Sequence, residues 1–144
     1  MTNRISLLAL LAMLSASTAA SGQLRVTEAD ILRAPKSYVG QKLRIVDIYC
    51  VDPGKGGFLC LKEAQGQILM VDGLVMGPST SSTMAELLSG GCKGTANLGN
   101  ARCLMDAEFE LTAAAREMVD GPSGSIQRVT LVTGTLEFRQ KGKR

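Results

Sequence analysis

The sequence predicts an all-β domain with short helices: a small five-stranded barrel in the order β-β-β-α-β-β, preceded by one brief helix. Three observations carry this. Short apolar runs recur at hairpin spacing between turns rich in Gly and Pro. The first long run changes the phase of its alternation part-way, as a β-bulge in a bent strand would. One short helical pattern then interrupts the strands after the third.

Residues 1–22 read as a secretory signal peptide. Arg4 is the positive n-region, Ile5 to Met13 and Leu14 form the apolar stretch, and small residues follow to possible cleavage sites after Ala20 or Gly22. The stretch is too short for a permanent span, which needs about 20 apolar residues. No Cys stands at the cleavage site, so a lipoprotein anchor is not expected. The address is therefore periplasmic or secreted, with one domain over residues 23–139 and a basic tail over 140–144. The remaining chain has no apolar run of spanning length and no Asn-x-Ser/Thr acceptor, which favours a bacterial origin.

Thr27 to Ala34 reads as a short helix, with Thr27 as N-cap, acidic residues in its first turn and Pro35 ending it. Leu43 to Asp52 is the first strand. Leu43 and Ile45 are apolar on one parity, Val46, Ile48 and Cys50 on the other. Pro53-Gly54-Lys55-Gly56-Gly57 is a turn, Phe58 to Lys62 the second strand, and Gln67 to Asp72 the third. Thr83 to Leu88 is a helix with a Thr83/Glu86 capping box. Cys92 to Cys103 has no period and reads as a loop. In the fourth strand Met105, Ala107, Phe109 and Leu111 alternate with Asp106, Glu108 and Glu110, and Ile126 to Arg139 is a long fifth strand.

Composition narrows the chemistry. There is no His among 144 residues, which removes Ser-His-Asp and Cys-His nucleophile systems and His-bearing zinc sites. The chain carries 16 Lys and Arg against 13 Asp and Glu, but Arg139, Lys141, Lys143 and Arg144 close it, so the body is slightly acidic. Four cysteines in an exported chain point to two disulfides. The hairpin turn centred on Lys55 sets Cys50 opposite Cys60, and Cys92 with Cys103 would close the loop before the fourth strand. The rival pairing joins Cys50 to Cys103.

The run from Val26 to Ile45, with its capped helix, Pro35-Lys36-Ser37-Tyr38-Val39-Gly40 turn and basic first strand, resembles the opening of small OB-fold domains of the tRNA-anticodon-binding-like type. Val132-Thr133-Gly134-Thr135-Leu136 resembles their closing strand, and the cysteine pairs are similar to those of exported bacterial members. The resemblance covers nearly the whole mature chain. It implies an OB-like Greek-key barrel and transfers no catalytic residue.

Nucleic-acid OB domains stack bases on aromatic residues of the second and third strands inside a basic groove. Here those strands offer Phe58 with Lys55 and Lys62, while Tyr49 adds a ring from the first strand. Lys93 supplies a charge from the Cys92–Cys103 loop. These five residues are the candidate binding set, and the groove over strands two and three is the expected surface. The Asp106, Glu108, Glu110 stripe reads as a solvated exterior, since nothing near it completes a cation shell. No cofactor or metal is expected. The function expected is a non-enzymatic module binding a protein or peptide in the cell envelope. The alternatives are an oligonucleotide-binding OB domain, which export makes unlikely, and a carboxylate- or Lys-based enzyme.

Overall fold

The computed structural model describes residues 26–142. The signal segment and the last two tail residues lie outside the described residues. Helix α1 (Glu28–Arg33) begins where the capping chemistry puts it. The Thr27 hydroxyl accepts from the Asp30 backbone N–H at 3.2 Å, and the Asp30 carboxylate accepts from the Thr27 N–H at 3.2 Å. Pro35 then opens a 3-10 turn, Pro35–Tyr38. The strands are β1 (Lys42–Val51), β2 (Phe58–Ala64), β3 (Gln67–Met76), β4 (Leu104–Glu110), β5 (Ala113–Gly121) and β6 (Gly124–Gln140). Helix α2 (Ser82–Ser89) lies between β3 and β4, followed by 3-10 turns at Thr95–Asn97 and Ala101–Cys103.

All six strands belong to one sheet, ordered β3-β2-β1-β4-β6-β5, and β3 also pairs with β6. That last pairing is parallel; the others are antiparallel. The strand count is six, where the sequence predicts five. The reason lies in the register of β4 and β5 on β6. From Met105↔Gln140 through Phe109↔Leu136 and Ala113↔Val132 to Gly121↔Gly124, each step forward meets one step back, with no residue gained or lost. Thus β4 and β5 are one strand interrupted at Leu111 and Thr112. At the interruption Leu111 exchanges backbone bonds with Gly40 and Gln41, at 2.7 and 3.0 Å. The buried Thr133 hydroxyl donates to the Glu110 carbonyl at 2.7 Å and replaces the missing ladder bond.

The phase change in β1 is a bulge. Ile45 opposes Ala107 and Ile48 opposes Met105, so β1 carries one residue more than β4 between these pairs. Both isoleucines are buried, while Val46 stays outside with Asp47, which adopts φ +53°. The second parity therefore starts at Ile48 and not at Val46. The α2 cap also differs from the sequence expectation: Ser81, not Thr83, accepts from the Met84 N–H at 3.3 Å, and the helix starts at Ser82. The polar run before it offers several hydroxyls, and the one with extended backbone takes the role.

The core lies between the strands, with Ile31 and Leu32 of α1 and Met84 and Leu88 of α2 added to it. Gly73 is needed inside it. A Cβ there would sit 2.3 Å from Leu136 Cδ1 on the neighbouring β6.

Candidate functional site

One end of the domain is tied together covalently. Cys50 is bonded to Cys60 across the register pair they form in β1 and β2, and Cys92 is bonded to Cys103. This is the local pairing and not the Cys50–Cys103 rival. The Asp52 N–H donates to the Cys92 carbonyl at 3.0 Å, and the Gly94 N–H donates to the Asp52 carbonyl at 2.7 Å. The loop between β1 and β2 and the loop 92–103 are thereby docked on the same end of β1. Lys55, Lys93 and Arg102, all exposed, are carried on these two loops. The Arg102 guanidinium lies over Gly91, where a Cβ would approach it to 2.7 Å.

The structure divides the five candidate binding residues. Phe58 turns its ring to Phe138, centroids 5.2 Å apart in an edge-on contact, and Phe138 is buried. Lys62 bonds the Glu28 carboxylate at 2.5 Å and the Val46 carbonyl at 2.7 Å, so it ties α1 to the bulge. Lys55 and Lys93 stand on the two loops docked at the disulfide-held end. Tyr49 is half-buried on β1, one residue before Cys50.

Register reveals what Tyr49 belongs to. Leu104 opposes Tyr49, Tyr49 opposes Leu61, Leu61 opposes Met70, Met70 opposes Thr130, and Thr130 opposes Ala115. The neighbouring row, Cys50, Cys60, Val71 and Leu131, is fully buried. Alternate residues of a strand face opposite sides, so the first row lies on the outer face. Six uncharged side chains thus follow one another on neighbouring strands, about 4.8 Å apart, and because β3 also pairs with β6 the row winds round the sheet, with Tyr49, Leu61 and Met70 adjacent on β1, β2 and β3. All but the exposed Ala115 are half-buried. Val132 and the 72% exposed Leu74 lie further along the same face, where the exposed Asp72 opposes Val132 and stands between Met70 and Leu74. Leu61, Met70, Leu104 and Thr130 escape the sequence because the row exists only once strands distant in sequence are aligned, and Arg102 because the Cys92–Cys103 bond is what brings it to this end. A pocket of ≈ 200 Å³ beside the β2–β3 turn is lined by Glu63, Gln65, Gln67 and Ile126, and it is smaller than common small-molecule sites.

The acidic stripe is not a solvated exterior. Asp106 and Glu108 are 4% and 5% exposed, covered by cations from the strands on either side. Arg44 donates to Asp106 at 3.0 Å, and Glu108 takes Lys42 at 3.0 Å and Arg139 at 3.1 Å. Only Glu110 reaches solvent freely. Sequence parity placed the carboxylates correctly on the face opposite Ala107 and Phe109. It carried no sign that long side chains from β1 and β6 would lie over them.

Burial alone raises the Glu108 pKa, but hydrogen bonds and charge from Lys42 and Arg139 outweigh it and hold the carboxyl below its ordinary 4.5. A folded-state pKa below the unfolded one gives stability that is present above pH 4.5 and is lost as pH falls through the lowered value. The stability gap between wild type and Glu108→Gln is therefore expected to be widest above pH 4.5 and to narrow below it. Urea denaturation over a pH series measures the gap, and a gap independent of pH would refute the assignment.

No family model matches the chain, and comparisons with curated proteins and with solved structures return no match.

Proposed function

We propose that this protein is an exported, non-enzymatic binding module that takes a protein or peptide partner of the cell envelope on the outer face of β1, β2 and β3. The observation that carries this reading is the uncharged stretch Tyr49, Leu61 and Met70 on the adjacent strands β1, β2 and β3. An extended segment laid across it would meet apolar side chains with charged loops at one end, the arrangement of a protein interface with an apolar centre and a polar rim. The OB-type barrel is part of the proposal. Its support is that the pairings run β1–β2–β3–β6–β4 and return to β1, as a closed barrel requires. Two disulfides fit an oxidising compartment, and the signal-like segment supports export.

An oligonucleotide partner is disfavoured by what the rings do. Phe58 packs inward on Phe138 and leaves no stacking platform on β2.

Panning a random dodecapeptide library against the mature domain tests the proposal. Selected peptides are expected to bind with micromolar Kd and to lose about tenfold or more on Leu61→Ser or Met70→Ser, since truncation at the centre of an interface costs more than 1 kcal/mol. Melting temperatures should stay close to wild type because both residues are half-buried. Equal binding to the variants would overturn the docking face. Micromolar binding of a twelve-residue oligo-dT, abolished by Tyr49→Ala, would favour the nucleic-acid reading instead.

A further inference from the structure

Cations in this domain are mostly neutralised within it. Among the described residues, Arg33, Lys42, Arg44, Lys62, Arg128, Arg139 and Lys141 each pair with a carboxylate. Arg116 reaches the Leu32 and Arg33 carbonyls at the end of α1. Lys36, Lys55, Lys93 and Arg102 are left without a side-chain bond or ion pair. Three of these four stand on the two loops that the disulfides and the Asp52–Cys92–Gly94 backbone bonds hold at one end of β1. The nearby Asp52 carboxylate accepts from the Gly54 N–H at 2.8 Å and keeps its charge, so it offsets one of these three positive charges. Asp72, exposed on β3, pairs with Leu59 further along the face.

We infer that the partner presents an acidic segment to Lys55, Lys93 and Arg102, with its apolar residues on the row that begins at Leu104 and Tyr49. This deepens the docking-face reading and rests on it. The two held loops carry three exposed positive charges against the one negative charge of Asp52, so the free domain presents net positive charge to solvent at this end. An acidic polypeptide is favoured over a nucleic acid because the adjoining surface offers one ring, Tyr49, among aliphatic side chains, and Phe58 is turned to Phe138. It is favoured over a membrane surface because Tyr49, Leu61 and Met70 are half-buried and stand one strand apart, which suits side chains of an extended chain better than acyl chains.

The test uses the mature domain and three labelled dodecapeptides, each six repeats of Leu-Glu, Leu-Gln or Leu-Lys so that an extended chain carries its leucines on one face, followed by fluorescence anisotropy. The Glu peptide is expected to bind most tightly, and to weaken as salt is raised. Reversing Lys55, Lys93 and Arg102 to Glu together should weaken it by about tenfold or more, as the sum of three exposed charge interactions. The neutral triple variant, all three to Gln, should fall between. Lys36→Glu, at the remaining unpartnered cation among the described residues, should change nothing. Equal affinity for the Glu and Gln peptides, or equal loss in Lys36→Glu, overturns the inference. So does tighter binding of a twelve-residue oligo-dT or of phosphatidylglycerol vesicles through the same three residues, which would assign the loops to those ligands. Leu61→Ser separates the two readings. It should weaken all three peptides alike; if it is silent while charge reversal matters, the docking face fails and the acidic site stands.

Discussion

Ile45→Ala and Ile48→Ala are each expected to destabilise the domain by about 2–5 kcal/mol, the usual cost of truncating a buried isoleucine. Three residues apart on an unbroken strand, they would face opposite sides, and one would be cheap to shorten. Here they are 1% and 0% exposed, because the register on β4 slips by one residue between them. Val46→Ala, at 45% exposure inside the slip, should stay within about 0.5 kcal/mol of wild type. Equilibrium urea denaturation of the three variants reads this out directly. A large loss at only one isoleucine would mean that β1 is straight and that its pairing with β4 is misplaced.

That slip was legible in the sequence, and so were the features that depend on neighbours in the chain. Thr27 and Asp30 cap α1 because their spacing allows nothing better for the first turn. Cys50 and Cys60 face each other because a glycine-rich turn of fixed length separates them. What was not legible depends on strands meeting from far away. β5 hid because Ala113-Ala114-Ala115 lacks the β-branched and aromatic residues of a strand, and most of its residues are exposed. It holds its place by continuing the register of β4 on β6, not by burying a face of its own. The candidate site divides the same way. Lys55 and Lys93 could be singled out as glycine-flanked cations in loops, but Arg102 joins them only through the Cys92–Cys103 bond. Phe58 and Lys62 looked like groove residues by strand position, and their partners, Phe138 and Glu28, come from opposite ends of the chain.

Asp106→Ala should cost about 3 kcal/mol, the lower end of the range for breaking a buried pair, because Arg44 keeps 27% of its side chain in water. The Asp106 carboxylate is the anchor of the bulge. One oxygen accepts the Asp47 backbone N–H at 3.1 Å, and the other takes Arg44 at 3.0 Å. Asp47 is the residue with φ +53°, a conformation that costs an L residue roughly 1–2 kcal/mol and that needs an external hold. Its own carboxylate gives none, since it faces Lys141 at 3.7 Å on the surface. Asp106→Asn keeps an oxygen for the Asp47 N–H while giving up the charge, and should lose less than Asp106→Ala. Asp47→Gly, which removes the conformational cost, should be neutral or stabilising in wild type and should recover part of the Asp106→Ala loss. Recovery follows only if the carboxylate acts through the bulge; if Asp47→Gly leaves the Asp106→Ala deficit whole, the cost belongs to the lost Arg44–Asp106 pair alone.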